Sequence, residues 1–263
     1  MFLYAYAVSA SARLKSPFLI TYDLSDERNF QLPDYFVCRR YHRSLNVFLI
    51  RAFRKLKVRL PEVHLDSWHA PEKELTRVRN WRRYTGFMQS ARYFEDMDAL
   101  VRSELRIRPE HQAKFEAKYG ELFSGKKTIV VHRRRGDYKE FGDEKLGYDL
   151  VLPLSFYEKA FEELGNLDEF EVFFIGDDCS DLKVRFGQRS NFHYESNDMI
   201  IDFQLIQNAD IAIVSNSSFA WWGAYLNSKP NKKIYAPKFW LGFKVQEEFP
   251  HSIMTVPWTW LDV

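Results

Sequence analysis

Three consecutive arginines, Arg133, Arg134 and Arg135, follow the apolar run at 128–132, which has the composition of a buried strand. Guanidinium groups are permanently charged planar forks that suit phosphate oxygens. Open α/β sheets bind ligands at the carboxyl ends of their strands, where these side chains would stand. Arginine clusters also occur on solvated faces and nucleic-acid patches. Together with the second half of the chain, the cluster favours a phosphate site, in which Arg134 contacts the ligand and Arg135 braces the loop, with Asp137 as a candidate partner.

A run of amide and hydroxyl side chains, Asn216, Ser217 and Ser218, lies between the apolar segment 210–214 and the start of a predicted helix. Free amides and the helix dipole favour an anion at a helix N-terminus, and hydroxyl groups add donors there. Ordinary N-capping explains one such residue well and the whole run less well. We therefore interpret this turn as the seat of a diphosphate.

Two single residues would complete a nucleotide site. Asp202 is a carboxylate in an otherwise apolar helix, and one carboxylate can accept two parallel hydrogen bonds from a guanine edge. The other interpretation is an ordinary aspartate on a helix surface. His132, at the end of the apolar run, either hydrogen-bonds a sugar or base or has a structural role.

The pattern that must position these residues is an alternation of strands and helices through the second half of the chain. Apolar, β-rich runs alternate with helical patterns from residue 128 to residue 236. This alternation predicts an α/β fold with a doubly wound parallel sheet. The first half is more helical, with helices predicted at 2–14, 45–57 and 93–106 and a strand at 17–22. We predict a boundary that separates a domain at 1–120 from one at 121–263.

Composition and charge narrow the class of protein. The net charge of +2 combines an excess of seven positive charges in residues 1–110, 20 Lys and Arg against 13 Asp and Glu, with a negative remainder. The basic residues at 39–59 could face an anionic acceptor or a membrane, but apolar residues at helical spacing favour helices whose polar sides are basic.

Two cysteines, Cys38 and Cys179, predict neither a disulfide framework nor a zinc site. No segment of the sequence resembles a membrane span, a signal peptide or a nucleic-acid motif, so we expect no nucleic-acid partner.

Three sequence stretches resemble the α-1,2-fucosyltransferases of glycosyltransferase family 11. These are HRRRGDY at 132–138, FFIGDD at 173–178 and DIAIVSNSSFAWWGAYL at 210–226. Weaker similarity lies at 84–96 and 236–240. The resemblance implies a GT-B-like fold and inverting transfer of fucose from GDP-fucose without a required metal or other cofactor. The N-terminal domain would then lie on the acceptor side, and the C-terminal domain would be a Rossmann-like GDP-sugar-binding domain.

Carried over to this sequence, the resemblance assigns donor-binding roles along the motifs. Arg134 would meet the donor diphosphate, with Arg135 beside it, Ser217 and Ser218 at the phosphates, Asp202 at the guanine and His132 near the nucleoside. Asn216 belongs to the same donor-binding turn. Without a metal, arginine, hydroxyls and helix-terminal amides would neutralise the charge that develops on the departing GDP.

The general base is left open among three acids that follow the arginines, Asp137, Glu140 and Asp143. We take Arg134 and Asp137 as the catalytic pair, although Asp137 also suits an ion pair that braces the loop. A rival interpretation assigns Asp177, Asp178 and Asp181 to a metal in a metal-dependent sugar-nucleotide enzyme. Acids at a strand end more often cap the helix that follows.

Two departures from the family pattern concern the start of the chain and one arginine. The family usually has a strand and a glycine loop before the segment that begins here at Met1, which indicates either a start assigned too far downstream or a truncated relative. Position 133 is arginine where the family usually has an apolar residue.

The predicted function is a galactoside α-1,2-fucosyltransferase that uses GDP-fucose and an oligosaccharide or glycolipid acceptor terminating in galactose. The alternatives are a catalytically impaired relative that binds GDP or a nucleotide sugar, and a fucosyltransferase of different linkage. Bacterial relatives imply a cytoplasmic location, with at most peripheral contact at the inner face of the membrane.

Overall fold

Contacts between residues divide the chain into two units. The computed structural model describes residues 1–21, 30–69, 71 and 78–263. One unit comprises Met1–Pro109 with His251–Thr255, and the other comprises Glu110–Pro250 with Val256–Val263. The division thus falls at residues 109 and 110, ahead of the boundary predicted at 120 and 121, and a short C-terminal segment returns to the first unit.

The strands are mostly short and all belong to one large sheet or two small ones. In chain order they are β1 (Glu62–His64), β2 (Arg83–Thr85), β3 (Lys127–Arg133), β4 (Gly142–Asp143), β5 (Gly147–Tyr148), β6 (Phe170–Gly176), β7 (Phe192–Tyr194), β8 (Ile211–Ile213), β9 (Lys233–Pro237) and β10 (Thr259–Leu261). The small sheets are β1 with β2 and β4 with β5.

Helices make up most of the regular structure of the first unit and alternate with strands in the second. In chain order they are α1 (Phe2–Leu14), α2 (Leu32–Tyr35), α3 (Arg43–Lys55), α4 (Asp98–Glu104), α5 (Pro109–Phe115), α6 (Glu121–Gly125), α7 (Leu154–Leu164), α8 (Ser180–Phe186), α9 (Met199–Asn208) and α10 (Ser218–Leu226). A π-helical turn at Glu116–Gly120 joins α5 to α6. Among the described residues, no helix is long and apolar enough to cross a membrane.

The second unit contains a six-stranded parallel sheet in the order β10-β9-β8-β3-β6-β7. The chain begins in the middle at β3, adds β6 and β7 on one side, and then crosses to the other side for β8, β9 and β10. The strand order therefore reverses between β3 and β8. In open parallel sheets, such a switch point forms the crevice in which ligands bind, because the loops after its two strands leave in opposite directions.

The central strand is buried because helices cover both faces of the sheet. Ile129, Val130 and Val131 are fully inaccessible to solvent, and Ile129 and Val131 pack in a core with Phe174 and Tyr157. A strand buried on both faces carries a continuous apolar run rather than an alternating one, which is the pattern of residues 128–132. The predicted doubly wound α/β fold is confirmed.

The predicted helix at 93–106 is shorter in the structure, where a 3₁₀ turn at Glu95–Met97 precedes α4. The predicted strand at 17–22 is wrong for residues 17–21, and Tyr22 lies outside the described residues. Ile20 in this segment bonds with both its N–H and its carbonyl to the side chain of Asn46, at 2.9 Å each. These backbone groups are therefore satisfied without a neighbouring strand.

The helix predicted at 45–57 is present as α3, and part of its apolar spacing lies on the outside. Leu45, Phe48 and Leu56 are exposed. Asn46 and Ile50 are the buried residues of this helix. The apolar stripe of Leu45, Phe48 and Leu56 therefore faces solvent, while the side of α3 that carries Asn46 and its two bonds with Ile20 faces inward.

Candidate active site

The arginine loop after β3 is organised by one carboxylate from the end of β6. Asp177 accepts hydrogen bonds from the backbone N–H groups of Arg135 at 2.9 Å and Gly136 at 2.8 Å. Gly176, which precedes it, has a φ of +142° and pairs with Arg133 across the two strands. Charge-assisted bonds from a carboxylate to backbone amides are strong and directional. Asp177 therefore fixes the path along which the arginines leave the sheet.

Arg134 is the partly exposed member of the cluster, with 36% of its side chain accessible. Its guanidinium lies 2.7 Å from a carboxylate oxygen of Asp137 and 3.6 Å from one of Asp177, and it stands over the ring of Tyr138. A guanidinium with this exposure can exchange its ion pairs for an incoming anion. The predicted ligand contact and its candidate acid are thus neighbours.

Arg135 is held in the loop by acids of the β6–α8 connection. Its guanidinium donates to Asp178 at 2.8 Å, lies 3.3 Å from the hydroxyl of Ser180, and stands 3.6 Å from Asp181. The side chain therefore braces the loop through Asp178 and Asp181, whereas the sequence suggested Asp137 for this partner. Asp137 pairs with Arg134 instead.

Arg133 faces the opposite way from Arg134 and is buried. It donates to the carbonyl of Leu152 at 2.5 Å and to Asp181 at 2.6 Å, and its guanidinium stacks over Tyr157. Successive residues of a strand point to opposite faces of the sheet. The unusual arginine at this position is therefore a buried packing residue whose ion pair with Asp181 is partly buried, away from Arg134.

His132 joins the two strands of the switch point. Its Nδ1 lies 2.8 Å from the hydroxyl of Ser215, which follows β8, and its ring lies 5.6 Å from that of Phe219 in α10. Burial lowers the pKa of His132 to about 4, and the nearby Asp177 offsets only part of that shift. The imidazole is therefore neutral at physiological pH.

The predicted diphosphate turn lies beside this histidine and is tied to the arginine loop. Tyr138 donates from its hydroxyl to the carbonyl of Asn216 at 3.1 Å, and the buried side chain of Asn216 donates to Leu150 at 2.9 Å. Ser217 is the N-cap residue of α10, and among the described residues its hydroxyl bonds no amide of that helix. Ser218 is exposed at the first helical position. The hydroxyl of Ser217 and the first amides of α10 are thus left for another acceptor.

Asp202 lies in the first turn of α9, with 8% of its surface exposed. Its carboxylate accepts a hydrogen bond from Asn197 at 3.0 Å, and burial raises its pKa to about 6. The adjacent Phe203 packs edge-on against Phe219, the ring beside His132. The structure therefore connects Asp202 to the switch point through α9 and α10 and does not pair it with the arginines.

The acids proposed for a metal are occupied by other groups. Asp177 holds two loop amides, Asp178 pairs with Arg135, and Asp181 pairs with Arg133. Within the described ranges, no group of three or more His, Cys, Asp or Glu is placed to hold a metal ion. This arrangement favours the role of these acids as partners for arginine.

Three residues that organise the site were not assigned to it from the sequence: Asp177 as the acceptor for the loop amides, Ser215 as the partner of His132, and Tyr138 as the link between the two loops. The acids of the FFIGDD segment were interpreted as metal ligands or helix caps, and the segment itself as part of the family resemblance. The signal that could have indicated this role is the sequence Gly176-Asp177 at the end of a buried strand. An acid there, beside a neighbouring strand that ends in arginines, is placed to accept hydrogen bonds from the arginine loop.

The arrangement as a whole can bind and neutralise a phosphorylated nucleotide. A partly exposed guanidinium, a neutral histidine and the open N-terminus of α10 meet at the switch point of a parallel sheet. These are the donors that a diphosphate requires. The fold and the grouping of these donors suit a nucleotide sugar bound at the carboxyl ends of the strands.

Comparison with known proteins gives the family. The model of glycosyl transferase family 11 matches residues 47–260, and the chain belongs to that family. The chain is 27% identical to the alpha-1,2-colitosyltransferase of Escherichia coli over 224 residues, which are 82% of this chain and 74% of that protein. It is 30% identical over 118 residues to the O-antigen biosynthesis glycosyltransferase WbnK of Escherichia coli, a match that spans 43% of this chain and 39% of that relative.

Solved structures confirm the class of fold. The fucosyltransferase NodZ from Bradyrhizobium matches with a TM-score of 0.52 and 16% identity, over 86% of each chain. NodZ alpha-1,6-fucosyltransferase co-crystallised with GDP matches with a TM-score of 0.51, again over 86% of each chain. The GT-B-like fold expected from the resemblance is therefore confirmed, and so is membership of the family.

Proposed function

We propose that this chain transfers fucose from GDP-fucose to a galactose-terminated oligosaccharide or glycolipid, forming an α-1,2 linkage with inversion at the anomeric carbon. The observation that carries the proposal is the position of Arg134, partly exposed at the switch point and tied through Tyr138 to the turn before α10. The family supplies the reaction class, and a relative that is itself an alpha-1,2 transferase supports the linkage.

The donor would lie across the carboxyl ends of β3 and β8. Arg134 and Arg135 would flank the diphosphate, and Ser217, Ser218 and the first amides of α10 would donate to its oxygens, with Asn216 shaping the turn. His132, neutral and bonded to Ser215, would hydrogen-bond the nucleoside. Asp202 would accept the guanine edge in its ionised form.

The reaction requires a displacement and one proton transfer. The acceptor hydroxyl oxygen attacks the anomeric carbon of fucose from the side opposite the diphosphate, while the bond from that carbon to the phosphate oxygen breaks and GDP leaves with the electron pair. Asp137 is proposed to take the hydroxyl proton, and Arg134 to neutralise the charge on GDP. We propose that no metal or other cofactor is needed, because guanidinium, hydroxyl and amide groups supply this neutralisation.

Calorimetric titration with GDP, ADP and UDP tests the donor site. We expect GDP to bind more tightly than the other nucleotides, with the same affinity in excess chelator. Arg134→Ala should weaken GDP binding strongly, whereas Arg189→Ala, at an exposed arginine that packs on Phe192, should not. Equal affinity for the three nucleotides, or loss of binding in chelator, would contradict the proposal.

Transfer and linkage need a separate assay. GDP-fucose should be consumed in the presence of a galactose-terminated acceptor, and Arg134→Ala should lower the rate by about 10²-fold or more. Methylation analysis of the product should show a substituted O2 of galactose. GDP binding without transfer would indicate the impaired relative, and substitution at another hydroxyl would indicate a different linkage.

A second candidate function is transfer of colitose. The similarity to an alpha-1,2-colitosyltransferase over most of this chain favours it. GDP-linked colitose and GDP-fucose should therefore be compared as donors with the same acceptor. The sugar with the higher kcat/KM is the donor, and the assignment of the diphosphate site is the same for both.

A further inference from the structure

The first unit carries an apolar stripe on the outside of α3. Leu45, Phe48 and Leu56 are 53%, 65% and 72% exposed. With Ala52 between them, they follow the spacing i, i+3, i+7 and i+11, which keeps side chains on one side of a helix. Val58, just beyond the helix, is 41% exposed. Such a row exceeds the single exposed apolar residues that are common on soluble surfaces.

The residues around this stripe are strongly basic. Arg51 and Lys55 are exposed beside it on α3, and Lys57 and Arg59 follow in the exposed segment after the helix. The sequence has no acidic residue from position 35 to position 61. Arg43 at the start of α3 does pair with Asp34, at 2.8 Å. The positive charge is therefore concentrated at the middle and C-terminal end of the helix.

A basic pocket adjoins the start of the same helix. It has a volume of about 560 Å³ and lies between the end of α1 and the segment before α3. Lys15, Arg40 and His42 line it together with the hydroxyl groups of Ser11 and Ser16. His42 is the N-cap residue of α3. Cationic and hydroxyl side chains in one pocket suit a phosphate group.

We propose that the stripe and the pocket bind the surface of a membrane rich in anionic phospholipids. A helix with aromatic and aliphatic residues on one side and lysine and arginine beside them lies in the plane of the lipid headgroups. The apolar side chains enter the boundary of the acyl chains, while Arg51 and Lys55 meet lipid phosphates. One headgroup phosphate occupies the pocket at Lys15 and Arg40.

This surface does not depend on the proposed enzymatic function. The residues that carry it lie between positions 11 and 59, whereas the proposed donor site uses residues from 132 onward. Charge complementarity selects the lipid surface over a second copy of the chain, because two copies of this face would bring like charges together. Membrane binding and nucleotide binding can therefore be tested separately.

Flotation of the full chain with lipid vesicles tests the proposal. We expect the protein to float with vesicles of phosphatidylcholine mixed with phosphatidylglycerol and to remain at the bottom with phosphatidylcholine alone. The double variant Phe48→Ser/Leu56→Ser should lose at least about tenfold in partitioning, because apolar burial is removed. Val184→Ser, at a residue that is 88% exposed on α8, is the matched control and should bind normally.

Charge variants test the electrostatic part. Arg51→Glu/Lys55→Glu should abolish flotation, whereas Lys126→Glu/Lys233→Glu, with the same change in net charge at two exposed lysines of the second unit, should reduce it much less. Arg40→Gln should weaken the preference for phosphatidylglycerol. Added salt should release the wild-type chain.

The thermal unfolding midpoint of each variant shows whether it is folded, and the exposed positions make a large change in that midpoint unexpected. Failure of the wild-type chain to float with anionic vesicles would overturn the proposal, and so would flotation of folded Phe48→Ser/Leu56→Ser at the wild-type level. The proposal would also be overturned if light scattering showed that the wild-type chain is a dimer, that the double variant is a monomer, and that the wild-type chain does not bind vesicles. That result would assign the stripe to contact with a second copy of the chain.

Discussion

Arg133 and Arg134 are adjacent in the chain and have opposite surroundings. Arg133 is buried with Asp181 and Tyr157, whereas Arg134 is partly exposed beside Asp137. Successive side chains of an extended chain point to opposite sides, so two adjacent arginines have different surroundings: one is buried and the other is accessible. The motif therefore contains a structural arginine and an accessible one, and a substitution at each should have a different effect.

At Asp137 we predict a separation of catalytic and binding effects. Asp137→Asn keeps the shape of the side chain but removes its capacity to accept the acceptor's proton. We expect kcat to fall by about 10²-fold or more, with little change in the KM for GDP-fucose. Steady-state kinetics measure this, and a raised donor KM at unchanged kcat would show that Asp137 only positions Arg134.

Two buried groups should give opposing pH effects on stability. The pKa of His132 is lowered to about 4 from 6.5 in the unfolded chain, so its contribution is lost as the pH falls through that window. The pKa of Asp202 is raised to about 6 from 3.8, so its contribution is present at low pH and lost as the pH rises. In the wild-type chain the two effects therefore oppose each other between about pH 4 and pH 6.

Asp202→Asn should therefore make the protein more sensitive to acid. With the compensating carboxyl group removed, the free energy of unfolding should fall by up to about 1.4 kcal/mol per pH unit as the pH decreases from 6 towards 4. Urea unfolding at several pH values measures this slope. Asp168→Asn, in an exposed turn, is the control, and an unchanged slope in Asp202→Asn would refute the assignment.

At the scale of the elements, the contact between β3 and β6 depends on Gly176. A Cβ atom there would lie 1.9 Å from the carbonyl oxygen of Arg133, and the φ of +142° is unfavourable for any other residue. Gly176→Ala should lower the free energy of unfolding by about 3 kcal/mol or more and displace Asp177 from the loop amides. Gly125→Ala, where a Cβ meets no atom within 4 Å, should be nearly neutral in the same unfolding experiment.

Most elements of the second unit could be predicted from the sequence, because their patterns match their environments. The apolar run at 128–132 lies in β3, and α7 is one of the helices that the alternation from 128 to 236 predicts. β7 and β10 were missed because they are the two edge strands of the sheet and are defined mainly by pairing with a single neighbouring strand. The order of the strands depends on such long-range pairing, which no local pattern records.

The candidate site was predictable in its residue types and less so in its contacts. A strand that ends in arginines indicates the accessible Arg134, but the pairing of Arg135 with Asp178 depends on the register between β3 and β6. The apolar spacing of α3 predicts a helix but not which of its sides meets the core. The buried Asn46, which bonds to both backbone groups of Ile20, lies on that side.

At the scale of the whole molecule, the proposed donor site draws all of its residues from the second unit. The arginine loop, the β6–α8 connection and the turn before α10 lie at 132–138, 176–181 and 215–219. We therefore expect GDP to slow hydrogen exchange in these three segments and to leave 32–64 unchanged. Exchange measured by mass spectrometry, with ADP as the control nucleotide, tests this. Protection confined to 32–64 would be incompatible with the site.

The hydrogen bonds of Asn46 have a consequence for how the apolar stripe of α3 behaves in water. An amphipathic helix on a protein surface normally turns its apolar side toward the core. Turning α3 that way would break the bonds of Asn46 to the N–H and the carbonyl of Ile20, and a buried amide left without partners costs about 1–3 kcal/mol. Asn46 therefore favours the rotation of α3 about its axis in which the apolar stripe meets the surroundings of the protein rather than its interior.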